Sequence, residues 1–172
     1  LQQGKVANLR RALPGIDGAW IEPGAEFSFW AHVGPTGTGN GYVDGMVYQH
    51  GTPAAGTGGG LCQLSNALLW CALNTGMRIT ERHRHSLDPF PDSGRSVPFG
   101  CGATVHYNYL DFRFINTHAA PIRISAAITG SHLVLGFSSD VPLTETIRIE
   151  ERDHRFTVRD GRRWRENRII RI

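Results

Sequence analysis

Cys62 follows the glycine run Gly58-Gly59-Gly60 and opens a stretch with helical periodicity. The unpaired N–H groups at a helix start favour an anion. They can draw a thiol from an ordinary pKa of about 8.5 toward roughly 3.5–7.5, above all beside an imidazolium. Gly59 and Gly60 would let a backbone or substrate approach closely, and their amides, with the side chain of Gln63, could hold an oxyanion. The same thiol equally suits a small buried apolar residue, which is what most free cysteines are. Spacing leaves both readings open.

A nucleophilic thiol needs a base. His83 and His85 are two apart, so on a strand they point to one side. Asp111 and Glu81 are the carboxylates that could orient an imidazole. Cys62, His83 and His85 can also be read as a three-ligand zinc site with one open position, although no pair has a familiar zinc spacing. No other metal site and no cofactor is expected. His32, His50, His106, His118, His132 and His154 are scattered. Cys71 falls in the apolar part of the same helix and reads as core, and Cys101 lies in a loop. Three cysteines cannot all pair within one chain, and none forms a C-x-x-C motif, so at least one free thiol is expected.

The elements that must position these residues are legible as periodicities. The chain of 172 residues suits one domain. Its 21 glycines and 9 prolines favour turns and strands over a helical bundle. Val6, Leu9 and Leu13 mark one face of a first helix over residues 2–13, with Lys5, Arg10 and Arg11 toward water. Strands are expected at 19–21, 27–30 and 42–49, with glycine-rich loops at 34–41 and 50–60. Leu61, Leu64, Leu68 and Ala72 define the strongest helix, over residues 62–74 and capped by Gly76. Residues 77–82 read as a strand, 88–102 as an irregular excursion and 103–115 as the best long strand. Residues 121–128 and 132–137 suit a hairpin, and strands near 146–149 and 155–158 complete the second half. The expected fold is α+β, a mostly antiparallel sheet on a central helix that begins at Cys62. The expected single domain has a core over 1–130 and a strand-rich extension over 131–172.

The net charge is +3, with many arginines between Arg148 and Arg171. The simplest reading of that stretch is a solvated face balanced by Glu150, Glu151, Asp153 and Glu166; an anionic polymer or membrane surface is the other. No nucleic-acid-binding motif accompanies it. No apolar run reaches the roughly 18–20 residues that span a bilayer. No signal peptide is visible, and a start at Leu1 suits a fragment of a longer protein.

Several longer motifs resemble the VanW family. Asn8-Leu9, Ile21-Glu22-Pro23-Gly24 and Phe27-Ser28-Phe29-Trp30 are similar to its opening segments, and Gly41-Tyr42 with Asp44-Gly45 to the next. Gly58 through Asn66 resembles its most specific signature, and Glu81-Arg82-His83-Arg84-His85-Ser86 a later one, followed by Gly102-Ala103-Thr104 and Asp111. The resemblance implies a cell-envelope or extracytoplasmic role and an L,D-transpeptidase-like acyl transfer on peptidoglycan stem peptides. Cys62 would be the nucleophile, His85 the base and Asp111 its orienting acid. Ser65, Asn66, Arg82 and Ser86 would help position substrate. A non-catalytic module that binds peptidoglycan or glycopeptides, and a zinc hydrolase, are the alternatives. Gly102 stands where many members carry an acid, and Leu61, Ser65-Asn66 and Phe90-Pro91-Asp92 place the chain nearer the resistance-accessory branch.

Overall fold

The computed structural model describes residues 1–49, 52–85 and 94–172. The fold is α+β, with antiparallel sheets and few helices. Helix α1 (Gln2–Ala12) buries Asn8, Leu9 and Ala12. Arg10 and Arg11 face water as expected, but Lys5 is half-buried because its stem crosses Gly60. Strands β1 (Trp20–Ile21), β7 (Ile122–Thr129) and β8 (His132–Ser138) form one three-stranded sheet. Strands β2 (Glu26–Ser28), β6 (Arg113–Ile115) and β5 (Arg78–Glu81) form another. The β7–β8 hairpin lies where alternation placed it, turning through Gly130 at φ 58°.

Helix α3 (Leu61–Asn74) is the apolar centre. Its Leu64, Leu68, Leu69 and Ala72 are fully buried, each leucine stabilising the fold by about 1.5–3 kcal/mol. They meet Leu9 and Ala12 of α1 and a set of buried rings in the same core. Phe27 and Phe114 stack with centroids 4.8 Å apart, and Phe112 tilts against Phe114 at 5.8 Å. Beyond α3, Thr75 and then Gly76 at φ 76° turn the chain into β5.

Three expectations are corrected. The alternation Phe27-Ser28-Phe29-Trp30 does not run on as a strand: β2 ends at Ser28, which caps a short helix α2 (Phe29–Val33). The Ser28 hydroxyl accepts from Ala31 N at 3.1 Å, and such a cap outweighs a four-residue alternation. The supposed glycine-rich loop over 50–60 contains a strand, β4 (Thr52–Thr57), paired along its length with β3 (Asp44–Gln49). Backbone pairing there needs no apolar side chain, so hydrophobic periodicity is silent. The long strand over 103–115 is also interrupted. His106 and Leu110 bridge across a tight turn with Asn108 at φ 66°, leaving β6 for its last three residues.

The remaining strands, β9 (Ile149–Arg159) and β10 (Arg162–Arg171), are longer than expected and form a two-stranded ribbon. It is tied to the rest of the chain through Arg171 Nη1 to Met77 O at 2.7 Å and Asn167 Nδ2 to Phe99 O at 2.7 Å.

Candidate functional site

The segment Ala103–Val105 collects the signature residues. On one side the first turns of α3 hold it. Ser65 Oγ donates to Ala103 O at 2.7 Å, Ala103 N donates to Asn66 Oδ1 at 2.7 Å, and the Cys62 thiol reaches Val105 O at 3.7 Å. On the other side His83 pairs with Thr104 in an antiparallel bridge, with Thr104 N donating to His83 O at 2.8 Å. Arg82 clamps the approach to this segment, donating through Nε to Gly102 O at 2.9 Å and through Nη2 to Gly100 O. Cys62 and His83 thus meet the same strip of extended backbone from opposite edges. Of the groups expected to position substrate, Ser65 and Asn66 spend the polar atoms named here on that strip, and Arg82 spends its own on the carbonyls just before it. Gln63 is exposed on the helix surface.

Cys62 sits in the first turn of α3, after Gly60 in the left-handed region at φ 104°. It is partly exposed, yet burial of the sulfur pushes the thiol pKa up, while the backbone at Val105 and at Cys62 itself pulls it down more weakly. Loss of water outweighs the helix start here. Burial likewise pushes Cys71 up to about 11. A thiol shifted in this direction would need a base to act as a nucleophile.

A rate measurement checks this. In the chain alone, Cys62 should react with iodoacetamide more slowly than a free thiol at neutral pH, and speed up only well above about pH 8.5. Thiols with a raised folded pKa hold more protons folded than unfolded. Their stabilising contribution is complete below the ordinary thiol pKa and is lost as pH climbs toward about 11. The urea midpoint should fall over that window. Rapid Cys62 labelling at neutral pH would instead reveal a preformed thiolate.

The carboxylates divide their work. Glu81 Oε1 meets His83 Nε2 at 2.9 Å and accepts from Asp111 N at 2.9 Å, and the hydrogen bond from His83 is the largest cause holding its carboxyl below the usual range. Asp111 is buried. Its Oδ2 accepts from Ser28 Oγ at 2.6 Å and Arg113 Nε at 2.9 Å, and its Oδ1 from Trp30 N at 3.2 Å and Phe112 N at 2.8 Å. His83 and Glu81 form an imidazole–carboxylate pair. His85 is exposed two residues further along, and Ser86 and Phe90-Pro91-Asp92 lie outside the described residues. Among the described residues no three His, Cys, Asp or Glu side chains come together as a metal site.

A cleft of about 480 Å³ opens beside Glu81 and Asp111, walled by Ser28, Trp30, Tyr107, Tyr109 and Arg113. Trp30 and Tyr107 meet edge-to-face at 5.5 Å, and Tyr109 is 78% exposed. Sequence periodicity does not single out these aromatics, because the alternation over 103–115 reads as one continuous strand. The reversal at Asn108 is what brings Tyr107 and Tyr109 to the cleft.

Residues 4–137 match the family described as VanW like protein. The chain belongs to the VanW family. It is 35% identical over 115 residues to the vancomycin B-type resistance protein VanW of Enterococcus faecalis, covering 67% of this chain and 42% of that protein. Against the protein YoaR of Bacillus subtilis it is 33% identical over 138 residues, covering 78% of this chain and 43% of the relative. The matched part of the chain thus spans less than half the length of each of these two relatives. No solved structure matches it. The VanW match takes in Cys62, His83 and the aromatic cleft and ends before the β9–β10 ribbon.

Proposed function

We propose that this VanW-family chain is a cell-envelope protein that transfers acyl groups of peptidoglycan stem peptides through Cys62. The supporting observation is the juxtaposition across Ala103–Val105, with the Cys62 thiol on the Val105 carbonyl and His83 bridged to Thr104. A protonated resting thiol fits general-base activation. In the step itself, an imidazole of the His83–His85 pair takes the thiol proton as sulfur bonds to the substrate carbonyl carbon. The C–N bond to the terminal amino acid then breaks, and the leaving nitrogen takes the proton from the imidazolium. The resulting thioester is discharged by the amine of a second stem peptide, which restores the thiol. His83 has Glu81 to orient it, whereas His85 is the position favoured by the family resemblance.

The exposed rings of the cleft favour a second reading, a module that binds cell-wall peptides or glycopeptides without chemistry and so assists glycopeptide resistance, as the name of the enterococcal relative suggests. One experiment separates the two. Incubation with a disaccharide-tetrapeptide or a carbapenem should give a single acyl adduct by intact-mass spectrometry, absent in Cys62→Ala and reduced at least about 100-fold in rate in the essential histidine variant. Retained peptidoglycan pulldown with no adduct on the wild-type chain would remove the acyl-transfer reading and leave the binding module.

A further inference from the structure

The β9–β10 ribbon carries a segregated charge that the family match does not cover. Its lower half is balanced. Arg152 pairs with Glu150 at 2.7 Å, Arg168 Nε with Asp153 at 2.6 Å, and Arg155 with Glu166 at 2.9 Å. Nearer the turn Arg159 also pairs with Glu166, and Asp160 in the turn is followed by Arg162 and Arg163. Arg162 and Arg163 are exposed and form no ion pair with another described residue. Between these cations stand apolar side chains that a solvated face does not need: Val158 is 69% and Trp164 50% exposed. Val158 pairs with Arg163 and Trp164 with Thr157, so the two lie on opposite faces, each within a few residues of the Asp160-Gly161 turn.

We propose that this tip is a contact for an anionic lipid bilayer, entered edge-on. At about 3.3 Å per residue, Val158 and Trp164 are reached when the turn sinks by roughly 10 Å. That is the depth of the headgroup and acyl boundary, where an indole is favoured and guanidinium groups meet lipid phosphates. A soluble anionic polymer would be met by the arginines alone and would leave Val158 and Trp164 without a role. A second copy would set one cationic tip against another. An anionic bilayer answers both the charge and the apolar side chains. The ribbon base stays clear of the surface, held to the body by Asn167 on Phe99 O and by Arg165 over the Phe99 ring at 4.2 Å.

The test uses the 172-residue chain and vesicles of phosphatidylcholine with or without phosphatidylglycerol. The chain should sediment with the phosphatidylglycerol vesicles only, and added salt should release it. Arg162→Ser with Arg163→Ser should weaken partitioning about thirtyfold. Trp164→Ser should weaken it several-fold and remove the part of tryptophan quenching caused by acyl-chain-brominated lipid. Unchanged far-ultraviolet circular dichroism in these exposed-site variants keeps the comparison one of binding. Equal binding to both vesicle types, or to neither, would overturn the proposal. So would tight polyphosphate binding with vesicle affinity indifferent to Trp164→Ser, or a dimer that buries the tip.

Discussion

Asp111→Ala is expected to destabilise the chain by about 3–5 kcal/mol, enough to remove a large part of a typical domain stability of roughly 5–15 kcal/mol. The carboxylate is buried and accepts four hydrogen bonds, from Ser28, Trp30 N, Phe112 N and Arg113. Truncation leaves the Trp30 and Phe112 amides and the Ser28 hydroxyl without that acceptor, and buried donors left unmade cost about 1–3 kcal/mol each. The Arg113 pair adds little, because the guanidinium is 42% exposed and screened by water. Loss of the carboxylate also frees Ser28 to abandon its cap on α2, which lets Trp30 leave the cleft wall. Asp111→Asn keeps one carbonyl oxygen for the two amides but turns an NH2 toward Ser28 or Arg113, so about half the loss should remain. Urea denaturation reads both, with the midpoint falling and the slope unchanged. A group that only orients a catalytic imidazole would lower turnover and leave the midpoint within about 1 kcal/mol of wild type. That outcome would support the orienting role that the family motif gives Asp111.

The elements legible in the sequence are those whose side chains carry the period. The α3 pattern of Leu61, Leu64, Leu68 and Ala72 is a buried stripe, and the β7 alternation Ile122, Ile124, Ala126 is a buried face. Elements held by backbone or polar contacts leave no such trace. β3 and β4 pair through Gly45 and Gly56, and Ser28 caps α2 from within an apparent strand. The site divides in the same way. Spacing brings out Cys62 with His83 and His85, and the motif favours His85 and Asp111, whereas the contacts along Ala103–Val105 are made by Cys62 and by His83, which carries Glu81 on its ring. The cleft depends on a left-handed Asn108, a backbone choice that residue type permits without announcing. Asn8 shows the limit most clearly. On a helical wheel it is one polar residue beside Leu9, yet it is fully buried and ties Val43 and Gly59 together.

Gly59→Ala should cost about 2–4 kcal/mol, because the glycine run is as much a packing requirement as an approach for substrate. A Cβ at Gly59 would lie 2.4 Å from the Gly45 carbonyl carbon, 2.5 Å from its oxygen and 2.8 Å from Met46 N. All three are backbone, so no rotamer relieves the clash and β3 must separate from the start of α3. Moving Gly59 also strains Asn8, whose Nδ2 donates to Gly59 O at 3.0 Å and to Val43 O at 2.9 Å. Gly60→Ala is a different case. It carries φ 104°, costing about 1–2 kcal/mol for any L residue, but its nearest obstacle is Lys5 Cγ at 2.3 Å. Lys5→Ala should therefore recover the largest steric part of Gly60→Ala, leaving the tight approach of the residue 5 Cβ at 3.0 Å and Cα at 3.2 Å, and none of Gly59→Ala, a difference that a double-mutant cycle measures directly. Gly39→Ala, with nothing within 4 Å, serves as the control and should stay within about 0.5 kcal/mol of wild type. Because Gly59 and Gly60 fix where α3 begins, the Gly59 variant should also lift Cys62 from its buried seat and speed its alkylation at neutral pH. A stable Gly59→Ala chain with unaltered Cys62 reactivity would show that β3 and the helix start are held apart by something other than their contact at Gly45.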